Sequence, residues 1–174
     1  MRTPATTIRP LCESDFAGFC KLNTNSQVRQ FLGGLRAQDQ LRAAFADRLS
    51  QTSELHFTII DIASTEMIGL VSVAQYHEAG QFELSYQLLP AYWGCGIAYR
   101  SSTEIFRYAL KKGIETVVAE TQVANQRSRR LLERLGMEES GSLVRFGADQ
   151  AVYKLSLTLQ SRRKATGLKP PSDP

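Results

Sequence analysis

The stretch from Leu88 to Ala98 constrains this chain more than any other part of its sequence. It reads Leu-Leu-Pro-Ala-Tyr-Trp-Gly-Cys-Gly-Ile-Ala, so an apolar, strand-like run passes through Gly94 and Gly96 into a helix-like run. A helix that starts in this way leaves its first backbone N–H groups without an intrahelical partner. Those donors and the positive end of the helix dipole favour an anion, so the sequence predicts a phosphate-binding turn here.

The periodicity of the apolar residues predicts strands and helices around this turn. We predict strands over residues 7–11, 55–62, 66–76, 82–89, 116–122, 142–146 and 151–158, and helices over 15–23, 27–32, 39–49, 96–112 and 125–135. A crossover through a helix joins the 82–89 strand to the 116–122 strand, which is typical of a parallel pair. We therefore expect an α+β, three-layer fold: a mixed, mostly antiparallel sheet of six or seven strands with helices on both faces.

The length of 174 residues suits one domain with a substantial core, which we place at residues 1–159. Residues 160–174 carry most of the formal net charge of +4. We predict that they form a basic, disordered tail, since such segments are usually solvated. The charge of the remaining chain is close to neutral, which argues against a nucleic-acid partner.

Targeting and metal-binding signals are absent from the sequence. No run approaches the roughly 18 apolar residues of a membrane span, and the first residues lack the apolar segment of a signal peptide. We therefore expect a cytoplasmic protein without a membrane partner. The three cysteines, Cys12, Cys20 and Cys95, lack metal-type spacing, which predicts free thiols in a reducing compartment and no metal site.

Three interpretations of the glycine turn compete. It could be a tight turn without a ligand, although two glycines between a strand and a helix usually indicate a close backbone approach. It could begin the Gly-x-Gly-x-x-Gly fingerprint of a dinucleotide fold, with Glu120 as the ribose ligand. Against this, Tyr99 occupies the third glycine position, residues 90–93 make the loop too long, and the strands upstream are antiparallel. The third interpretation rests on motifs elsewhere in the chain.

These motifs precede and follow the turn in a fixed order. They are Ile8-Arg9-Pro10-Leu11, Phe31-Leu32-Gly33-Gly34, Ile68-Gly69-Leu70, Glu83-Leu84-Ser85-Tyr86, the turn itself, Asn125-Gln126-Arg127-Ser128 and Leu135-Gly136-Met137. Over about residues 6 to 158 the chain resembles the GNAT superfamily of N-acetyltransferases, and in detail the branch that includes the acetyltransferases of ribosomal-protein N-termini. The resemblance implies direct transfer of acetyl from acetyl-CoA to a primary amine, either a protein N-terminal α-amine or a small molecule. It also makes a homodimer reasonable.

The resemblance also implies which residues hold acetyl-CoA. Backbone N–H groups of the turn would hold the pyrophosphate, and the residues that supply them are Trp93, Gly94, Cys95, Gly96, Ile97 and Ala98. Backbone groups of Leu88 and Leu89 would bind the pantetheine arm and the thioester carbonyl. Asn125 and Ser128 would approach the arm from the later helix. Arg129 or Arg130 would either reach the adenosine phosphate or belong to a solvated surface.

Candidate catalytic residues follow from the same resemblance. An amine must lose a proton before it attacks, and the leaving thiolate must gain one, so a base and an acid are sought. Glu83 is the first candidate base, acting through a water, and Glu120 is the second; each could instead be a strand glutamate that faces solvent or pairs with a basic residue. Many members of the superfamily carry a tyrosine seven residues after the motif asparagine, where this chain has Leu132.

Ser128 is the nearest substitute for that tyrosine as the acid, with water as the alternative donor. The missing tyrosine keeps a second function class open: a sensor or regulatory module that binds acyl-CoA without catalysis. A nucleotide-cofactor-binding protein is the remaining alternative.

Overall fold

The computed structural model describes residues 4–158, so the predicted domain end at 159 and the predicted tail at 160–174 lie outside the described residues. Short 3₁₀ turns cover Glu13–Asp15 and Pro90–Tyr92. The strands are β1 (Thr6–Pro10), β2 (Leu55–Asp61), β3 (Met67–Gln75), β4 (Phe82–Leu88), β5 (Thr116–Gln122), β6 (Glu138–Arg145) and β7 (Ala148–Ser156). The α-helices are α1 (Phe16–Asn23), α2 (Ser26–Arg29), α3 (Gln38–Ser50), α4 (Ile97–Lys111) and α5 (Gln126–Arg134).

The strands of the described part form one sheet in the order β1-β2-β3-β4-β5-β7-β6. Every neighbouring pair is antiparallel except β4 and β5, which are parallel. The predicted mixed, mostly antiparallel sheet is therefore confirmed, including the crossover through α4. Pro10 lies in the edge strand β1, where its missing N–H costs no ladder hydrogen bond.

The main difference from the sequence prediction is the start of β6. The sequence places this strand at 142–146, whereas it begins at Glu138. Residues 138–142 are exposed in the outermost strand of the sheet, so they show no apolar alternation that a sequence pattern could detect. Backbone pairing with β7 forms this part of the strand despite its polar side chains.

Two apolar clusters support the sheet. The first joins α4 and α5 to the strands and includes Ile97, Ile105, Leu132, Leu84 and Leu88. The second joins α1, α2 and α3 to β3 and includes Phe19, Leu22, Val28, Leu41, Phe45, Met67 and Leu70. Helices therefore cover both faces of the sheet, as the sequence predicts.

The sheet is nearly interrupted between β4 and β5. The two strands are paired only at Glu83 and Val118, whereas β5 pairs with β7 along its whole length. The Leu89 N–H donates to the Ile68 carbonyl at 2.9 Å. By the antiparallel alternation, the backbone groups of Tyr86 and Leu88 then point away from β3, towards β5. Beyond Glu83 the strands diverge, and this edge of β4 is open.

The β6–β7 hairpin closes through a two-residue turn at its tip. Phe146 and Gly147 both have positive φ, +53° and +71°, as a type I′ turn requires. Asn or Gly normally occupies the first of these positions, because a bulky side chain is disfavoured there. Phe146 is nevertheless 70% exposed, so little packing offsets this conformational cost.

Replacing Phe146 with Asn is therefore expected to stabilise the protein by about 1 kcal/mol, since Asn tolerates the left-handed conformation. Urea unfolding monitored by circular dichroism measures the change. Phe146→Ala is the control, because alanine has the same conformational cost as phenylalanine and should give no such gain. A less stable Phe146→Asn variant would show that packing of the ring outweighs the backbone strain.

Candidate active site

A cleft of about 1100 Å³ runs through the gap between β4 and β5. Its walls come from β4, the glycine turn with the first residues of α4, the end of β5, α5, and α2 with the segment after it. Residues expected from the sequence that line it are Glu83, Leu88, Trp93, Gly94, Gly96, Ile97, Ala98, Glu120, Asn125 and Ser128. Two further expected residues, Leu89 and Cys95, do not line it.

The glycine turn presents free backbone donors to this cleft. Gly94 and Gly96 have φ of +76° and +69°, and α4 begins at Ile97. The first helical bond runs from the Arg100 N–H to the Gly96 carbonyl at 3.1 Å, so the N–H groups of residues 94–98 have no backbone acceptor among residues 4–158. The Trp93 N–H differs, because it donates to the Pro90 carbonyl at 3.1 Å. The row of unpaired N–H donors therefore begins at Gly94 instead of Trp93.

The Trp93 side chain fixes the turn to the end of β4. Its indole Nε1 donates to the Leu88 carbonyl at 2.8 Å, and the Arg127 guanidinium lies 5.1 Å from the ring centre. Two backbone groups at this edge are therefore already hydrogen-bonded. The Leu88 carbonyl accepts from Trp93, and the Leu89 N–H donates to the Ile68 carbonyl. What remains for a ligand along this edge is the Leu88 N–H and the backbone of Tyr86.

Helix α5 begins at the far wall of the cleft with Asn125 as its N-cap. The Asn125 Oδ1 accepts from the Ser128 N–H at 3.2 Å, and its amide NH₂ has no partner among the described residues. Arg127, Arg130 and Arg134 also line the cleft. Arg129 instead donates to the Tyr153 hydroxyl and to Glu139, both at 3.0 Å. Of the two arginines considered from the sequence, Arg130 faces the cleft and Arg129 is tied to the sheet.

Two carboxyl groups lie at the other end of the cleft. The Tyr76 hydroxyl and the Arg145 guanidinium each donate to Glu120 Oε2 at 3.1 Å, so this carboxylate is already hydrogen-bonded. No side chain of the described residues donates to Glu83, although the backbone N–H of Glu120 does. Burial and then the nearby charge of Glu120 raise the pKa of Glu83 to about 7. Glu83 is therefore the carboxyl group poised to exchange a proton at neutral pH.

Tyr86 and Ser128 form a contact across the cleft that the sequence did not reveal. Their hydroxyl oxygens are 2.8 Å apart, which joins β4 to α5. Burial raises the pKa of Tyr86 to about 12. Strand alternation predicts only that Tyr86, three residues after Glu83, lies on the opposite face of the sheet. Leu132, at the position of the expected tyrosine, is buried in the core.

Metal binding, the cysteines and membrane spans concern the part of the chain that the structure describes. Residues 4–158 contain no group of three or more His, Cys, Asp or Glu side chains that could hold a metal ion. The cysteines Cys12, Cys20 and Cys95 are free thiols. No helix within these residues is long and apolar enough to cross a membrane.

Comparison with known proteins agrees with this geometry. Residues 6–138 match the family model for the acetyltransferase (GNAT) domain. The chain belongs to this family. The acetyltransferase is also 24% identical over 170 residues to an uncharacterized N-acetyltransferase of Schizosaccharomyces pombe, covering 87% of this chain and 91% of that protein. The family uses acetyl-CoA, so the enzyme transfers an acetyl group.

Solved structures share the fold of this acetyltransferase. A GNAT-family acetyltransferase from Bacillus anthracis has a TM-score of 0.77 at 19% identity, covering 90% of this chain and 98% of that one. A spermidine N-acetyltransferase from Vibrio cholerae, in complex with CoA and spermine, has a TM-score of 0.76 at 21% identity, with coverage of 88% and 96%. A ribosomal-protein-S5-alanine acetyltransferase from Vibrio fischeri has a TM-score of 0.72 at 18% identity, with coverage of 87% and 92%. The ribosomal-protein branch is thus one of several neighbours.

The geometry of the turn makes Gly96 a sensitive position. We expect Gly96→Val to weaken acetyl-CoA binding at least tenfold, because a β-branched side chain at φ +69° distorts the row of N–H donors. Isothermal titration calorimetry measures the affinity. Gly113→Val is the matched control, since Gly113 has φ +78° but lies outside the cleft. Equal losses of affinity in the two variants would contradict a direct role for the turn.

Proposed function

We propose that this acetyltransferase moves acetyl from acetyl-CoA to a primary amine within the gap between β4 and β5. The observation that carries the proposal is the continuity of one cleft from the unpaired N–H groups of the turn, along the open edge of β4, to Glu83. A long substrate with an anionic end and an amide-containing arm matches the order of these features along the cleft.

The groups along the cleft fit the parts of acetyl-CoA in order. The N–H groups of residues 94–98, the N-terminus of α4 and the α5 arginines suit the phosphates. The Asn125 amide and the open edge of β4 suit the peptide-like arm, in the manner of an added strand. Gln87 contributes a further acceptor, because its Oε1 is buried without a partner among the described residues and the residue lines the cleft.

In this proposal Glu83 removes the proton from the attacking amine, directly or through a water. The amine nitrogen bonds to the thioester carbonyl carbon, the carbon–sulfur bond breaks, and the sulfur leaves as a thiolate. A carboxyl group with a pKa of about 7 is partly ionised at neutral pH and still basic enough to accept a proton. Glu120 is less suited, because Tyr76 and Arg145 already occupy one of its oxygens.

The pH dependence of turnover tests this assignment. Activity should rise with pH through about 7, because only the ionised form of Glu83 accepts a proton. Glu83→Gln should lower kcat by about 100-fold and remove this limb of the profile. Glu120→Gln should keep the limb but move it to lower pH, since the charge of Glu120 raises the pKa of Glu83. If Glu120→Gln instead abolishes the limb, Glu120 is the base.

The basic test is release of CoA thiol from acetyl-CoA across a panel of amines and peptides. Turnover on at least one amine supports the proposal. Binding of acetyl-CoA without turnover on any of them would favour a sensor or regulatory module, and absence of binding would refute both functions.

The surroundings of Glu120 favour a polypeptide N-terminus as the acceptor. Arg145, which binds Glu120, stacks on the ring of Phe146 at 4.7 Å, so the apolar tip of the β6–β7 hairpin adjoins the cleft. Val144 and Phe146 are 74% and 70% exposed. A small amine held at Glu83 leaves this tip uncovered, whereas a polypeptide that continues out of the cleft can contact it.

The size of the tip argues against a second copy of the chain as its occupant. Two side chains of this size expose at most about 300 Å², whereas a stable interface buries about 800 Å² on each partner. A short peptide segment can bind through a contact of about 300 Å² or less, which the tip provides.

Phe146→Asn should therefore raise KM for acceptor peptides about tenfold and leave KM for acetyl-CoA unchanged. Initial-rate kinetics with a peptide panel and a small-amine panel measure the effect. Phe146→Tyr keeps the ring and should keep the peptide KM. Turnover confined to small amines, or an oligomer that dissociates in Phe146→Asn, would contradict the polypeptide acceptor.

A further inference from the structure

The sulfur that leaves from the thioester needs a group to stabilise its negative charge. Leu132, which stands where the resemblance leads one to expect a tyrosine, is only 1% exposed and packs in the core. We propose that Tyr86 orients the hydroxyl of Ser128 so that Ser128 donates a hydrogen bond to this sulfur. The proposal rests on the proposed acetyl transfer and assigns Tyr86 as a positioning residue for it.

The hydrogen inventory of the pair supports this role. Tyr86 and Ser128 have one hydroxyl hydrogen each, and their oxygens are 2.8 Å apart. One hydrogen lies between the oxygens, so the other is left for a third group. Among the described residues no further acceptor bonds either hydroxyl, and both residues line the cleft. The free hydrogen is therefore available to a ligand.

The chemistry of the two hydroxyl groups bears on which of them donates the hydrogen bond. Either oxygen can be the donor in this contact. We assign Tyr86 as the donor, because a phenol is a stronger hydrogen-bond donor than an alcohol, and this leaves the Ser128 hydrogen free. Donation by Tyr86 polarises the Ser128 O–H and strengthens its bond to an anion. Burial holds the pKa of Tyr86 at about 12, so the phenol remains a donor throughout the working pH range.

Three other hydroxyls near the cleft are less suitable. Tyr92 donates to Asp61 at 3.2 Å, and Ser85 bonds Ser72 at 2.8 Å. Tyr99 lies in the first turn of α4, with the Arg134 guanidinium 4.7 Å from its ring centre, at the end of the cleft assigned to the phosphates.

The alternation of β4 puts the base and the hydroxyl pair on opposite faces of the sheet. Glu83 and Tyr86 are three residues apart in a strand whose pairing with β3 is unbroken. A thioester in the gap is then approached by the amine from the face of Glu83, while its sulfur leaves towards α5. The carbon–nitrogen bond forms, the carbon–sulfur bond breaks, Glu83 takes the amine proton, and the thiolate is hydrogen-bonded by Ser128 until solvent protonates it.

Binding of CoA as a function of pH tests this proposal without turnover. A donor to the sulfur stabilises the thiolate, so wild-type protein should bind CoA at least fivefold more tightly at pH 9.5 than at pH 7, relative to desulfo-CoA. Tyr86→Phe and Ser128→Ala should each lose this gain while binding desulfo-CoA normally. Tyr108→Phe, on the outer part of α4, is the control and should retain it.

Kinetics provide the second readout. Tyr86→Phe should lower kcat 10- to 100-fold with little change in KM for acetyl-CoA, and the double variant should be no slower than Ser128→Ala, because the two groups act as a unit. An unchanged kcat and pH dependence in Tyr86→Phe would overturn the proposal. So would an equal loss of affinity for CoA and desulfo-CoA, which would indicate a purely structural contact. Failure of the acetyl transfer itself would appear separately, as absence of turnover by the wild-type protein.

Discussion

The divergence of β4 from β5 is the constraint on which the rest of this structure depends. β5 forms a complete ladder with β7 and meets β4 at a single residue pair. Backbone N–H and C=O groups that lose their partners inside a protein are costly unless water or a ligand satisfies them. The open edge of β4 is therefore stable only as the wall of a solvent-filled cleft, and a ligand with amide groups can replace that water.

Charge is distributed along this cleft with opposite signs at its two ends. Arg127, Arg130 and Arg134 stand at the end with the helix N-terminus, whereas Glu83 and Glu120 stand at the other. In the proposed reaction an anionic cosubstrate and a cationic amine would be drawn to different ends and meet between them, which would give orientation as well as attraction. Arg145 reduces the electrostatic repulsion between the two carboxylates. It binds Glu120, whereas Glu83 keeps a raised pKa.

The sequence predicted the sheet and the glycine turn well because both depend on local patterns. Apolar alternation located the inner strands, and Gly94 and Gly96 located the turn before α4, where both have positive φ. It missed the first half of β6, whose polar residues are held by backbone pairing alone. It also missed the bond between Tyr86 and Ser128, since 42 residues separate the two and only the tertiary fold brings them together.

Trp93 is the single tryptophan of the 174-residue chain, and it lines the cleft with its indole tied to β4 and its face covered by Arg127. Intrinsic tryptophan emission from this protein therefore originates at one wall of the cleft. The chain contains its own optical probe of cleft occupancy, so titrations can be followed without a label. A change in this emission reports on the surroundings of the turn, because no second tryptophan contributes to the signal.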